Sequence, residues 1–172
     1  MGLVILLLAS KGFCQDPEQP LQFIIKSDKA VYEIGEKITI KTKLTNVGDK
    51  ELYINTLSFK YPGKLLNAIV RGPEVMRFIK GTYTNLIERR DNFKLLKPGE
   101  SHVANIYSEQ SPYNFLGYDL RKGIYIIQII YSNEQSGEAF GIPNVWTGTL
   151  TSNTISIKIK RMNRSKAKKM FQ

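Results

Sequence analysis

The sequence predicts an all-β, antiparallel sandwich of seven to nine short strands, with an irregular insertion around residues 74–92. Three observations carry that prediction. Apolar residues recur with a period of two and no long segment shows helical spacing. Turn signals rich in glycine and proline interrupt the runs at short intervals. A long apolar run, Gly123-Ile-Tyr-Ile-Ile-Gln-Ile-Ile-Tyr131, follows a turn late in the chain and reads as a central strand.

The strand candidates follow in order. Residues 21–26 and 30–34 are short apolar runs, the second closed by Ile34-Gly-Glu36. In 37–45, Ile38, Ile40, Thr42 and Leu44 share one face, while Thr39, Lys41 and Lys43 face water, the pattern of a half-buried antiparallel strand. Asn46-Val-Gly-Asp49 ends it, and 51–59 and 65–71 follow on either side of Tyr61-Pro-Gly63. After Gly72-Pro73 the rhythm breaks, and 74–92 reads as an insertion between sheets. Residues 93–97 and 102–108 flank Lys97-Pro-Gly99. Within the strand candidate 123–132, the run 124–131 is apolar on both faces except at Gln128, so it is expected to be central and covered on both sides. The last strand, 153–160, points Ile155, Ile157 and Ile159 inward and Ser156, Lys158 and Lys160 outward.

The ends of the chain carry a different kind of information. Residues 3–9 form an apolar run of seven, too short for a bilayer span of ~20 residues but suited to the core of a secretory signal. Gly12 and Cys14 are the small residues expected at −3 and −1 of a cut before Gln15. The expected organisation is therefore a signal peptide at 1–14, a linker at 15–20, a sandwich at 21–161 and a basic, disordered tail at 162–172. The expected location is exported, periplasmic or extracellular. Lipid anchoring at Cys14 is disfavoured because the bulky Phe13 precedes it. Cleavage after Cys14 removes the single cysteine, so the core alone must hold the domain. A chain of about 155 residues manages this by burying roughly two-thirds of its unfolded surface.

The formal net charge of +10 is unevenly spread. Residues 160–172 hold six of the 25 Lys and Arg and no acid, which leaves the body at 19 basic against 15 acidic residues, a net of +4. Such a tail implies a weak, salt-sensitive contact with anionic surfaces. It is too little to argue for nucleic-acid binding.

Catalytic constellations are scarce. The single histidine, His102, opens a strand candidate with no nucleophile motif to serve, and reads as an ordinary surface residue. His and Cys are too few for a clustered metal site, and no glycine-rich phosphate loop is present. No catalytic, metal-binding or cofactor-binding residue is assigned, no cofactor is expected, and the chain is read as a non-enzyme. The aromatic residues are the usable lead. Ser111-Pro-Tyr-Asn-Phe-Leu-Gly-Tyr118 is long and nearly uncharged, so Tyr113, Phe115 and Tyr118 are candidate contacts for a partner or a glycan. Trp146, in the second aromatic segment 139–146, is the fourth candidate.

The string Asp28-Lys-Ala-Val-Tyr-Glu-Ile-Gly-Glu36, with the alternating strand ending Leu44-Thr-Asn46, resembles the opening of exported bacterial immunoglobulin-like domains. Leu96-Lys-Pro-Gly-Glu100, Gly123-Ile-Tyr125 and Ser152-Asn153 extend the match over residues 21–160. The resemblance implies an immunoglobulin-like β-sandwich, and it makes Tyr125 a structural tyrosine corner whose hydroxyl bonds backbone near 119–121. The antibody cysteine pair is missing, and Ile127 stands where its second member would be. Since this architecture hosts many activities, the expected function is coarse: a non-catalytic binding or structural module of the bacterial envelope, partnered with another envelope or extracellular protein. The alternatives are a carbohydrate-binding module using 111–118, and a proteinase inhibitor presenting a loop stiffened by Pro112.

Overall fold

The computed structural model describes residues 19–60, 66–73, 76–79, 89–108 and 120–161. Among these residues it forms eleven strands: β1 (Leu21–Ser27), β2 (Val31–Glu33), β3 (Ile38–Asn46), β4 (Leu52–Asn55), β5 (Leu66–Arg71), β6 (Met76–Ile79), β7 (Phe93–Leu96), β8 (Ser101–Ser108), β9 (Gly123–Asn133), β10 (Gly148–Thr151) and β11 (Ile155–Lys160). A three-stranded sheet runs β1-β3-β8, and a six-stranded sheet runs β2-β11-β9-β5-β6 with β10 also on β9. β4 and β7 pair separately. Every strand pairing is antiparallel except β2 with β11. The protein is an all-β, immunoglobulin-like sandwich.

The period-two pattern builds the core directly. Alternate residues of a strand point to opposite faces, so Phe23 and Ile25 of β1, Ile38, Ile40 and Leu44 of β3, and Ile106 of β8 line the inner face of one sheet. Leu66, Ala68 and Val70 of β5, Tyr125, Ile127, Ile129 and Tyr131 of β9, and Ile157 and Ile159 of β11 line the other. Each large side chain buried this way stabilises the fold by roughly 1.5–3 kcal/mol. Asn153 joins the layers: its Oδ1 accepts from the Ile25 N–H at 2.7 Å and its Nδ2 donates to the Ile25 carbonyl at 3.1 Å. Among the described residues, no helix is long and apolar enough to cross a membrane.

The two Gly-Glu turns share one construction. In Glu33–Glu36 and Lys97–Glu100 the fourth residue's N–H bonds the first residue's carbonyl, at 3.0 and 2.9 Å. The third residue is Gly35 (φ 80) or Gly99 (φ 78), as a type II turn demands. The glutamate then reaches back, accepting from the N–H of Glu33 or Lys97 at 2.8 and 2.9 Å. Glycine provides the fold-back and the carboxylate pairs an otherwise open donor. Buried Asn46 completes the second turn, donating to the carbonyls of Lys50 and Leu96 at 2.8 and 2.9 Å.

Several elements depart from the sequence-based expectation. Residues 51–59 are not one strand, because β4 ends at Asn55 and a single helical turn, α1 (Leu57–Lys60), follows. The Asn55 side chain accepts from the Leu57 N–H at 3.1 Å, a local bond that competes with the ladder, and Thr56 Oγ1 is turned to the distant Asn92 carbonyl, to which it donates at 2.8 Å. Within 74–92, Met76–Ile79 is no insertion but β6, an edge strand on β5. β10 is a second strand absent from the sequence-based set. Pro20, assigned to the linker, accepts hydrogen bonds from the N–H groups of Val47 and Gly48 and is therefore tied to the domain. The signal segment 1–14 and the tail 162–172 lie outside the described residues.

Candidate binding surfaces

Tyr113, Phe115 and Tyr118 lie outside the described residues. Trp146 is described, and it is a correction: only 8% exposed, it stacks on Tyr131 with ring centroids 5.6 Å apart. Its segment runs back beside β4, with the Trp146 N–H bonding the Tyr53 carbonyl at 2.8 Å and the Asn144 carbonyl accepting from the Tyr53 N–H at 2.9 Å. Asn133 Nδ2 donates to the Trp146 carbonyl at 2.7 Å. Held on both sides, the indole faces the core and offers no ring face to a sugar. Tyr131, which sequence reasoning passed over, is the centre of this packing. Phe59 stacks on it at 5.7 Å, Phe23 tilts against it at 6.2 Å, and its hydroxyl donates to the Asn55 carbonyl at 2.9 Å. Burial raises its pKa.

Two tyrosines bridge turns in the same way. The Tyr125 hydroxyl donates to the Arg121 carbonyl at 2.9 Å, the geometry of a tyrosine corner. Gly72 lies against its ring, where an added Cβ would come within 2.4 Å of Cε1. Tyr32 also reaches four residues upstream, donating to Asp28 Oδ1, which in turn accepts from the Thr39 N–H at 3.3 Å. Burial, with the Asp28 bond second, pushes the Tyr32 pKa up to about 12. Both are structural contacts.

His102 is not the ordinary surface residue expected. It sits on the inner side of β8 with its ring 5.0 Å from Phe59, and its Nε2 is buried without a hydrogen-bond partner. Burial, with a smaller contribution from Lys94, lowers its pKa to about 4. The imidazole is therefore neutral at pH 7 and packs as an apolar ring.

The strand expected to be covered on both sides is central, but the outer side of its first half is open, while Gln128, Ile130 and Ser132 further along are half-buried. β9 lies between β5 and β11, yet its outward Ile124 and Ile126 are 60% and 44% exposed. The register places Val31, Lys158 and Ile124 in one outward row, and Ser156, Ile126, Arg71 and Met76 in the next. Val31 and Met76 are also exposed. The outer face of the six-stranded sheet thus presents apolar side chains beside two cations, a composition suited to a partner surface rather than to water. The sequence signal was already present in the two-faced apolar pattern of 124–131.

No protein-family model matches the chain, and no curated protein does. Among solved structures, the CARDB domain of the PF1109 protein from Pyrococcus furiosus, in complex with di-metal ions, aligns with TM-score 0.40 and 13% identity over 83% of this chain and 94% of that one. A β-glucosidase from Erythrobacter marinus aligns with TM-score 0.42 and 10% identity over 81% of this chain. This chain spans only 15% of that enzyme's length. The Pseudomonas fluorescens alkylpurine DNA glycosylase AlkC, bound to DNA containing an abasic site analogue, aligns with TM-score 0.42 and 8% identity, covering 83% of this chain and 31% of that one. The fold assignment rests on the strand pairing described above.

Proposed function

We propose that this chain is an exported, non-catalytic immunoglobulin-like module that binds another protein of the bacterial envelope or extracellular space. The observation that carries the reading is the uncovered outer side of β9, where Ile124 and Ile126 stand in solvent on the most central strand of the larger sheet. A partner covering them gains about 1 kcal/mol from each, at roughly 25 cal/mol per Å² of apolar surface. Arg71 and Lys158 beside them add charge selectivity at the rim. The glycan alternative has lost Trp146, one of its proposed stacking platforms, to the core.

The test is affinity capture from the native cell envelope with the parent chain and with an I124D/I126D variant. A protein retained stoichiometrically by the parent and lost by the variant supports the reading. Equal retention by both chains removes this face from it.

A further inference from the structure

We infer that the outer face of the three-stranded sheet, on the opposite side of the sandwich, docks on an anionic phospholipid surface. The register sets out its composition. Gln22, Thr45 and Ser101 form one outward row, Ile24, Lys43 and Val103 the next, and Lys26, Lys41 and Asn105 a third. Thr39 and Tyr107 form a fourth, with the Lys37 ammonium 4.0 Å from the Tyr107 ring centre. Among the described residues the one acid at an outward position of this face is Asp28, at the edge of the fourth row, where it bonds the Thr39 backbone and the Tyr32 hydroxyl. Lys26 and Lys41 are direct cross-strand partners, an arrangement of like charges that ordinarily weakens a sheet. Among the described residues no acidic side chain pairs with Lys26, Lys41 or Lys43.

Lysines concentrated on a face whose single described acid, Asp28, lies at one edge and is held by Tyr32 and Thr39 complement a surface of diffuse negative charge. Three features select a bilayer over other polyanions. All four cations are lysines, which act as point charges, whereas recognition of individual phosphates in nucleic acid favours the bidentate fork of arginine. Ile24, Val103 and Tyr107 are exposed between them, Val103 and Tyr107 by 48% and 45%. Apolar groups between long cationic side chains suit the headgroup boundary, where the ammonium groups remain among phosphates while the apolar atoms sink below them. A sheet face is also broad enough to lie against a plane. The inference is independent of the protein-binding proposal, which concerns the other sheet.

The test is co-sedimentation of the full chain with vesicles of phosphatidylcholine alone and with about 30% phosphatidylglycerol, which sets the negative surface potential that attracts lysines. The parent chain should partition onto the anionic vesicles only, and less at high salt. Each lysine near such a surface is worth about fivefold in partition, so K26Q/K41Q/K43Q should lose about a hundredfold. The comparison is made within the full chain so that the basic run at 160–172 is common to both. A Val103→Trp variant adds a second readout, because the emission of the introduced indole should shift to the blue on anionic vesicles and not on zwitterionic ones. Undiminished partition of the triple variant overturns the inference. So does an unshifted emission from the Val103→Trp protein once it is bound, or binding of an oligonucleotide or acidic protein through these lysines without vesicle binding.

Discussion

The two outer faces of this sandwich are made from the same kind of strand and have opposite characters. On the six-stranded sheet the outward positions at the start of β9 and on neighbouring β2 and β6 carry Ile124, Ile126, Val31 and Met76, with cations beside them. On the three-stranded sheet they carry Lys26, Lys41 and Lys43, with Ile24, Val103 and Tyr107 between. The inner faces hardly differ, since both are aliphatic and aromatic and merge in one core. Burial fixes the inward residues of a sandwich, and only what the outward residues meet is free to differ. The contrast therefore lies in the outward positions, where both proposed surfaces are placed.

The sharpest break in that comparison comes from adjacent residues of β9. Ile127→Ala, inward and fully buried, should cost about 2–5 kcal/mol, while Ile126→Ala, outward, should stay within about 0.5 kcal/mol by denaturant titration. Equal costs would mean that the outer face is also sealed. Asn153→Ala tests whether the faces are held as one body. It strips the partners from both backbone groups of Ile25, at an expected cost of about 1–3 kcal/mol and with the unfolding transition still single.

The inner side of the lysine-bearing sheet has its own signature through His102. Its folded pKa, about 4, lies below its ordinary value of 6.5, so the unfolded chain binds the extra proton between those limits. Stability from this group is full above pH 6.5 and declines as pH falls toward 4. The loss should be about 1–2 kcal/mol, discounted because part of the ring meets solvent. His102→Leu should remove that component from the pH profile of the unfolding free energy. The smallest effect compares the faces directly. Lys41→Gln relieves the cross-strand repulsion from Lys26 and should raise stability by about 0.2–1 kcal/mol, most clearly at low salt. Lys158→Gln, whose cross-strand neighbours are Val31 and Ile124, should show no such salt-dependent gain.

Much of the fold was legible because its determinants are local. Alternation in 37–45 and 153–160 located β3 and β11, and Gly-Glu pairs located two turns whose glycine conformation and glutamate bond reside within four residues. Tyr125 was legible for the same reason, its acceptor at Arg121 being four residues away. The two proposed surfaces were only half legible. Lys41 and Lys43 were read as facing water, but no local pattern places Lys26 or Val103 beside them.

By itself, then, the sequence determined the class of fold, most of the strands and the residues that turn inward, because side-chain periodicity and turn chemistry act over a few bonds. Tertiary structure alone decided the rest. It put Trp146 on Tyr131 and His102 on Phe59, made Met76–Ile79 and Gly148–Thr151 into strands by giving them β5 and β9 to pair with, and left Ile124 and Ile126 uncovered. Each of those outcomes depends on which distant segment lies alongside. A period-two pattern states that a residue has a face; only the packing of the other sheet and the neighbouring strands decides what that face meets.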